Sequence, residues 1–536
     1  MKTSLARVGM MLMASTAGAQ ALPPDQAAMK AHVVFLASDA LKGREAGTAE
    51  YEIAAEYVAA RMLDAGLVPA GENGTWLQKV PLVASRPAAE PSLTLTGMAG
   101  EAAPLVFNTD FSLRATAGPE KIDVSAPVVF AGYGVVDAAT GRDDYRGLDV
   151  RGKIVAILYS GPKGLNGEVA AHLGNRLDRA KLAKARGAVG ILYLWTSQIE
   201  GVLPFATMTR SWDSKVMAWA NPDGSERDLG APALGVVGFS GAEKLFAGSK
   251  IRWSDVRSAD DAGRKLPTGP LAVTAHARQS FIVERQPSSN VVGRLPGSDP
   301  ALADEVVLLT GHLDHIGITR PVNGDSINNG ALDNALGIAS LLEAAKLFQS
   351  ASVRPRRSIL FVAVTAEEKG LIGAEFFATF PTVPRDKMIA NVNLDMPILL
   401  TPLKDLIAFG AARSSIGAAV EAAARGQGLA LTPDPSPEEA SFVRTDHYPF
   451  VRQGIPAVTL ATGPGGEGKA ATENFLKNHY HKPSDDLSQP IDWAAARVFV
   501  KVNYEIARSL ADAPERPRWV AGDYFGTLYK GPMAAK

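Results

Sequence analysis

The sequence contains no cysteine among its 536 residues. This absence excludes disulfide bonds, a lipid anchor attached to cysteine and any metal site built on thiolates. An excess of one charge is also lacking, since 55 basic residues stand against 56 acidic ones and the formal net charge is -1. The chain therefore has no basic footprint for nucleic acid and no polybasic membrane patch. No apolar run approaches the roughly 20 residues that a membrane-spanning helix needs.

The first residues differ from the rest of the chain. Lys2 and Arg7 precede a short apolar stretch from Val8 to Ala14, and small residues follow at 17–19. A charged start, an apolar stretch and an A-x-A-like pattern are typical of a secretory signal peptide. We therefore expect residues 1–21 to be a signal peptide and the protein to be periplasmic or secreted. The alternative is a disordered, methionine-rich N-terminus.

The length favours two or three domains. Within residues 22–120, apolar residues recur at three- and four-residue spacing from Ala27 to Leu41 and from Ala49 to Gly66, which predicts helices. Residues 121–285 have many turn signals, buried-strand patterns and only two histidines. We expect this segment to be a β-rich inserted domain without chemistry of its own.

Residues 286–536 show a regular alternation of strand and helix patterns. The strand candidates are Val306 to Thr310, Ile359 to Val364, Ile389 to Leu394 and Ala457 to Ala461. The helix candidates are Gly337 to Gln349, Ile372 to Ala378 and Ile416 to Arg425. Apolar strands that alternate with amphipathic helices predict an α/β fold with a doubly wound, mostly parallel sheet.

Residue types that bind metals follow three of these strands, where ligands bind in open α/β sheets. The candidates are His312, Glu367, Glu368 and Asp395 after the strands, Asp333 before a helix, and His481 in a late loop. Each is weak evidence alone, because a His-x-Asp pair is commonly a simple hydrogen bond and a Glu-Glu pair is usually surface. The two histidines with three of these four carboxylates suit a centre of two zinc ions bound through nitrogen and oxygen.

Several stretches carry a resemblance to a known family. They are Gly311-His-Leu-Asp314, Gly330-Ala-Leu-Asp-Asn-Ala-Leu-Gly337, Ala366-Glu-Glu368, Asn393-Leu-Asp-Met396, Thr445-Asp-His-Tyr-Pro-Phe450 and Tyr480-His-Lys-Pro-Ser-Asp485. In these stretches the chain resembles the co-catalytic zinc exopeptidases, which include bacterial leucyl aminopeptidases, glutamate carboxypeptidase and the transferrin receptor. All five metal-ligand positions of that family are filled in the same order.

The resemblance implies a role for each metal-site residue. Asp333 bridges two zinc ions, His312 and Asp395 complete one of them, and Glu368 and His481 complete the other. Asp314 is expected to accept a hydrogen bond from the far nitrogen of His312. Zinc is the family's usual metal, although such a donor set also suits cobalt or manganese.

Two further residues are predicted to take part in catalysis. In the adjacent pair Glu367-Glu368, Glu368 is assigned to the metal. We therefore assign Glu367 as the general base that takes a proton from a metal-bridging water. Tyr480 is expected to donate to the tetrahedral oxyanion, with a plain core tyrosine as the alternative. Asp446 and His447 are predicted either to line the substrate pocket or to stabilise a loop. His315 and His479 are expected to support the site or lie on the surface.

Residues 121–285 carry a second resemblance. The stretches are Gly132-Tyr-Gly-Val135, Asp144-Tyr145, Gly152-Lys-Ile-Val155 and 181–188. They look like a protease-associated domain, an insert that in related peptidases lies over the active site.

The predicted activity is that of an aminopeptidase acting on peptide substrates, with three alternatives. A carboxypeptidase of the same family needs arginines for the substrate carboxylate, and Arg413 and Arg444 are candidates. A glutaminyl cyclase uses the same fold with one zinc ion. A non-catalytic binding protein is the least favoured, because every ligand position and Glu367 are present.

Overall fold

The computed structural model describes residues 21–113 and 117–535. The predicted signal peptide lies outside the described residues, apart from Ala21. Among the helices in these ranges, none is both long enough and apolar enough to cross a membrane.

The strands are β1 (Val68–Pro69), β2 (Leu77–Pro87), β3 (Ser92–Gly97), β4 (Ala102–Pro104), β5 (Phe111–Ser112), β6 (Lys121–Phe130), β7 (Val136–Asp137), β8 (Arg142–Asp143), β9 (Ile154–Leu158), β10 (Gly190–Leu194), β11 (Val216–Trp219), β12 (Ala233–Val237), β13 (Gly269–Leu295), β14 (Val306–His312), β15 (Ile318–Val322), β16 (Asp325–Ile327), β17 (Ser358–Val364), β18 (Met388–Asn393), β19 (Asp405–Phe409), β20 (Ala430–Leu431) and β21 (Ala457–Thr462).

The α-helices are α1 (Pro24–Leu36), α2 (Ala49–Asp64), α3 (Gly167–Leu173), α4 (Arg176–Ala185), α5 (Ser197–Val202), α6 (Phe205–Met208), α7 (Phe239–Phe246), α8 (Trp253–Asp261), α9 (Leu336–Ser350), α10 (Ile372–Thr379), α11 (Ile416–Gly426), α12 (Tyr448–Val451), α13 (Gly468–Asn478), α14 (Trp493–Asp512) and α15 (Tyr524–Leu528).

The first sheet carries the residues predicted to bind metal. Its strand order is β11-β2-β13-β17-β14-β18-β21-β19-β20. The central strands β17, β14, β18 and β21 run parallel, and antiparallel neighbours flank them on both sides. The predicted strands and helices of this region are present with nearly the same bounds, so the α/β prediction with a largely parallel sheet is confirmed.

Both faces of this sheet are covered, as the near-continuous apolar runs of its strands require. In β14, Val307 and Leu309 belong to the larger core with α1, α2, α9, α11 and α14. Val306 and Leu308 face the opposite core, which contains residues of α10 and α12. This doubly wound arrangement leaves the carboxyl ends of the parallel strands as the edge at which polar residues gather.

The second sheet is formed mainly by the middle of the chain. Its order is β4-β3-β13-β6-β9-β10-β12-β5, and β6, β9, β10 and β12 run parallel. The 27-residue strand β13 belongs to both sheets. Its first part pairs with β3 and β6, and its later part pairs with β2 and β17.

The N-terminal helices differ slightly from the prediction. The helix expected to reach Leu41 ends at Leu36, because Ser38 accepts a hydrogen bond from the N–H of Ala40 and begins a separate 3-10 turn. A loop over residues 42–48 follows, and the Thr48 side chain caps α2 by accepting from the N–H of Tyr51. This loop passes beside residues predicted to bind metal, since Arg44 contacts the main chain at Leu313 and Asp333.

Candidate metal centre

The predicted site residues gather at the carboxyl edge of the first sheet. His312 is the last residue of β14, Glu367 and Glu368 follow β17, and Asp395 follows β18. Asp333 lies in a distorted turn over Ala331–Ala335 that directly precedes α9. Because parallel strands end at one edge, the fold brings these side chains together from distant parts of the sequence.

One group of donors surrounds the first oxygen of Asp333. The Nε2 atom of His312 lies 3.2 Å from Asp333 Oδ1 and 3.0 Å from Asp395 Oδ1. The ligand atoms of these three residues all lie within 4.8 Å of one another. An ion with nitrogen and oxygen ligands at about 2.0–2.2 Å fits between donors at such separations.

A second group surrounds the other oxygen of Asp333. The Nε2 atom of His481 lies 3.3 Å from Asp333 Oδ2 and 3.1 Å from Glu368 Oε2. His481 reaches this position from a loop after α13 with a left-handed backbone, φ 54°. The two oxygens of Asp333 thus face two separate histidine-carboxylate pairs.

His315 is buried in the site rather than on the surface. Its Nδ1 lies 2.7 Å from Glu368 Oε1 and 3.8 Å from Asp333 Oδ2. The ligand atoms of His315, Asp333 and Glu368 also lie within 4.8 Å of one another. Its Nε2 is buried and finds no hydrogen-bond partner among the described residues. An unpaired buried N–H is costly, so the proton is better placed on Nδ1, where it is donated to Glu368 Oε1.

His479 is in neither of the two donor groups. Its Nδ1 contacts the Ser484 hydroxyl at 3.0 Å, and its ring stacks on Phe475. It therefore shapes the loop that carries His481.

Asp314 supports the site in a different way from the prediction. The atom that contacts Nδ1 of His312 is the main-chain oxygen of Asp314, at 3.0 Å. Its carboxylate instead accepts hydrogen bonds from the N–H groups of Glu367 at 3.0 Å and Glu368 at 3.4 Å. The sequence spacing could not separate these roles, because both atoms belong to the same residue. Burial raises the pKa of Asp314 to about 6.

Ionisation of the second group is set by close contacts. Burial and Asp333 would raise the pKa of Glu368, but hydrogen bonds from His315 and His481 lower it to about 2. Burial would lower the pKa of His481, but Asp333 and Glu368 raise it to about 10. Burial also opposes a charge on Asp333, yet the surrounding histidines hold its pKa well below the usual value. The centre therefore offers ionised carboxylates to a cation.

Glu367 differs electrostatically from its neighbour Glu368. Burial raises its pKa well above the usual value, against the effect of His312, and the acidic groups of Asp395 and Asp446 raise it further. Its main-chain oxygen accepts from the N–H groups of residues 370 and 371, which fixes the turn after β17. A carboxylate with a raised pKa beside a metal centre suits proton transfer.

Tyr480 is half-buried and stacks on His481, with ring centroids 3.9 Å apart. Burial raises its pKa, and Asp333, Glu368 and Glu367 add to the rise. The hydroxyl therefore keeps its proton at neutral pH and can act as a donor.

Asp446 and His447 are both fully buried. His447 contacts the Thr445 hydroxyl through Nδ1 at 2.6 Å and packs on Phe442, and burial lowers its pKa to about 3. These contacts fit the loop-stabilising alternative for His447. Neither carboxylate oxygen of Asp446 has a partner within the described ranges, and burial raises its pKa well above the usual value.

The two arginines considered for a substrate carboxylate are both engaged by acidic residues of the protein. Arg413 pairs with Glu168 and with Asp523, the latter at 2.8 Å. Arg444 is exposed and lies 3.3 Å from Glu439.

Comparisons with known proteins identify the region that carries this site. Residues 290–507 match the sequence model of the family described as Peptidase family M28. The resemblance to co-catalytic zinc exopeptidases is thereby confirmed for this region, which contains every proposed ligand.

Curated relatives are similar over part of their length. A "Probable zinc metalloprotease" of Pyricularia oryzae is 29% identical over 301 residues, covering 50% of this chain and 58% of the relative. "Leupeptin-inactivating enzyme 1" of Streptomyces exfoliatus is 26% identical over 262 residues, covering 45% and 52%. "Aminopeptidase NAALADL1" of Mus musculus is 34% identical over 140 residues, covering 25% and 16%. The chain thus spans less than two thirds of these relatives.

The fold is shared with a solved structure. "Aminopeptidase from Aneurinibacillus sp. strain AM-1" aligns with a TM-score of 0.50 at 20% identity, over 92% of this chain and 95% of that one. At this identity the likeness concerns the fold.

Proposed function

We propose that this chain, which carries a peptidase family M28 region, is a zinc-dependent exopeptidase that removes residues from the N-terminus of peptides. The proposal rests above all on Asp333, whose two oxygens face two separate histidine-carboxylate pairs. Neither a site for a single metal ion nor a simple network of ion pairs requires the two oxygens of Asp333 to face different histidine-carboxylate pairs. The same geometry supports a centre for two zinc ions.

In this centre His312 and Asp395 would hold one ion, and Glu368 and His481 the other, with Asp333 shared. His315 would orient Glu368 by donating to Oε1, which leaves Oε2 directed at the centre. When bound, zinc would polarise the scissile carbonyl and lower the pKa of water.

The chain's own residues supply the proton transfers. Glu367 takes a proton from the attacking water and delivers it to the leaving amine, so it must cycle between ionised and protonated forms. Its raised pKa brings these two forms closer in free energy. The Tyr480 hydroxyl, which stays protonated, donates to the oxygen that becomes negative in the tetrahedral intermediate.

Two observations support cleavage from the N-terminus of the peptide rather than from its C-terminus. Arg413 and Arg444, the arginines considered for a C-terminal carboxylate, already pair with acidic residues. The mouse relative that matches 140 residues bears the name aminopeptidase. Both favour recognition of a free amine over recognition of a free carboxylate.

The test measures zinc content and cleavage of a matched peptide panel. The panel holds one short peptide in free, N-acetylated and C-amidated forms, together with an N-terminal glutamine peptide. We expect about two zinc ions per chain, cleavage of the free and amidated forms, and no cleavage after acetylation. Glu367→Gln is the control, because it keeps the ligand set and removes the base.

Each alternative has its own result. Loss of cleavage after amidation rather than acetylation would indicate a carboxypeptidase. Conversion of N-terminal glutamine to pyroglutamate, with one zinc ion bound, would indicate a glutaminyl cyclase. A chain that binds no metal and cleaves nothing would be a binding protein.

We also propose that the protein is exported and that residues 121–285 form a protease-associated domain. N-terminal sequencing of protein recovered from the periplasm or medium tests export, since cleavage at Ala19 or Ala21 would expose a predictable first residue.

A further inference from the structure

Arg44 is a fully buried cation in the loop over residues 42–48, outside the family-matched region. Its residue exposure is 1%, and its backbone is left-handed with φ 39°. Burying an unpaired charge is costly, so an arginine in this position needs acceptors for its donors. Arg44 has an acceptor for each of its N–H donors.

All five N–H donors of the guanidinium have main-chain oxygens as acceptors. Nε donates to Leu313 at 2.8 Å. Nη1 donates to Leu36 at 2.8 Å and to Asn329. Nη2 donates to Gly330 at 2.8 Å and to Asp333 at 3.4 Å.

Four of these five acceptors lie in or beside the segments that carry the ligands, and the fifth, Leu36, ends α1. Leu313 directly follows His312. Asn329 and Gly330 directly precede the turn over Ala331–Ala335, and Asp333 lies within that turn. One rigid, planar group therefore sets the spacing between the chain at His312 and the chain at Asp333. A lysine has three donors on a flexible stem and cannot span both segments.

Asp485 holds the same turn from another side. Its carboxylate accepts from the N–H groups of Leu332 at 2.9 Å and Asp333 at 3.1 Å. Arg44 takes the oxygens of the turn and Asp485 takes its N–H groups, so the turn is fixed through its backbone while the Asp333 side chain points to the donors.

We infer that Arg44 is a positioning residue that sets the zinc affinity of the centre by fixing His312 and Asp333 relative to each other. The inference rests on the proposed metal centre. It adds a residue of the N-terminal segment whose hydrogen bonds all go to main-chain oxygens and none to a proposed metal donor atom. Loss of such an outer support typically weakens metal binding by about 10–100-fold.

The chain offers a matched control in Arg179 of α4. This arginine is also fully buried, and it also donates to five main-chain oxygens: those of Tyr133, Leu158, Tyr159, Ser160 and Gly174. Those residues belong to the second sheet region and not to the metal centre. An Arg179 variant therefore loses the same number of hydrogen bonds to main-chain oxygens, none of which lies in a ligand segment, and it differs from Arg44 in that its Nε has no partner among the described residues.

The experiment compares Arg44→Lys and Arg179→Lys in the full chain. Metal-free protein is titrated with zinc against a fluorescent chelator, and thermal unfolding is followed with and without zinc. We expect both variants to unfold at lower temperature than the parent protein. Only Arg44→Lys should bind zinc about 10–100-fold more weakly and gain less stability from it.

Three other results are decisive. Equal zinc affinity in Arg44→Lys and the parent would overturn the inference, since Arg44 would then only stabilise the fold. If Arg44→Lys does not fold, Arg44→Gln gives the same comparison, and failure of both while Arg179→Lys folds would also overturn it. A parent protein that binds no zinc contradicts the proposed function instead.

Discussion

Zinc binding to the metal-free protein is expected to release protons from the two proposed histidine ligands. Burial would lower the pKa of His481, but Asp333 and Glu368 raise it to about 10. Burial opposes a charge on His312 as well, yet Asp395 and Asp333 raise its pKa well above the usual value. Both imidazoles therefore hold a proton at pH 7 until a metal displaces it.

The number of protons follows from these values. An ordinary histidine with a pKa of about 6.5 is about one quarter protonated at pH 7, so two of them would release about 0.5 proton. Fully protonated His312 and His481 would release about two. The pKa values of His312 and His481 are both raised, so at a pH below these values a proton competes with zinc for each imidazole. From neutral pH upward, the apparent affinity for zinc should therefore rise about tenfold per pH unit for each histidine until its pKa is reached.

Calorimetric titration in buffers of different ionisation enthalpy measures this release directly. The Glu367→Gln, Asp446→Asn double variant is the protein to use, because both carboxyl groups have raised pKa values and could add protons of their own. His481→Gln in that background should release about one proton fewer. A release of about 0.5 proton or less from the unaltered histidines would refute the reasoning, since they would then be neutral before metal binds.

Three further predictions concern catalysis and the contact between the two sheet regions. Glu367→Gln should lower kcat by about 10²–10⁴-fold while zinc content, measured by atomic absorption, stays unchanged. Tyr480→Phe should lower kcat by about 10²–10³-fold with little change in KM, which steady-state kinetics would show, and a larger effect on KM would contradict an oxyanion role. Arg452→Met should cost about 1–3 kcal/mol in denaturant unfolding, because Arg452 donates two hydrogen bonds of 2.8 Å to a half-buried Asp178. The exposed Arg444 pair is the control, and its loss should cost less than about 1 kcal/mol.

The parallel sheet and its ligand edge were predictable from the sequence because both depend on local patterns. Apolar runs such as Val306–Thr310 have the length of buried strands, and the polar residues that follow them mark the strand ends. His312, Asp333, Glu368, Asp395 and His481 then form a set of donor types that suits one kind of centre.

The contributions of Arg44, His315 and Asp314 could not be predicted in the same way. An arginine in a polar, glycine-bearing loop has the same sequence appearance whether it is solvated or buried with five acceptors. The position of His315 inside the site depends on the turn that follows β14, which no periodicity describes. The hydrogen bonds of Asp314 depend on whether its main chain or its side chain meets His312, and only three-dimensional packing decides this.

The long strand β13 has a consequence for how this protein can vary. Since neighbouring side chains of a strand point to opposite faces, a shift of one residue in β13 would turn every later side chain to the wrong face. Its pairing is fixed against β3 and β6 at one end and against β2 and β17 at the other. After the insertion or deletion of a single residue near Ser280, only one of the two sheets could keep its present residue pairing with β13. Changes of length in this protein should accumulate in its loops and spare β13, because neither sheet can accommodate them there alone.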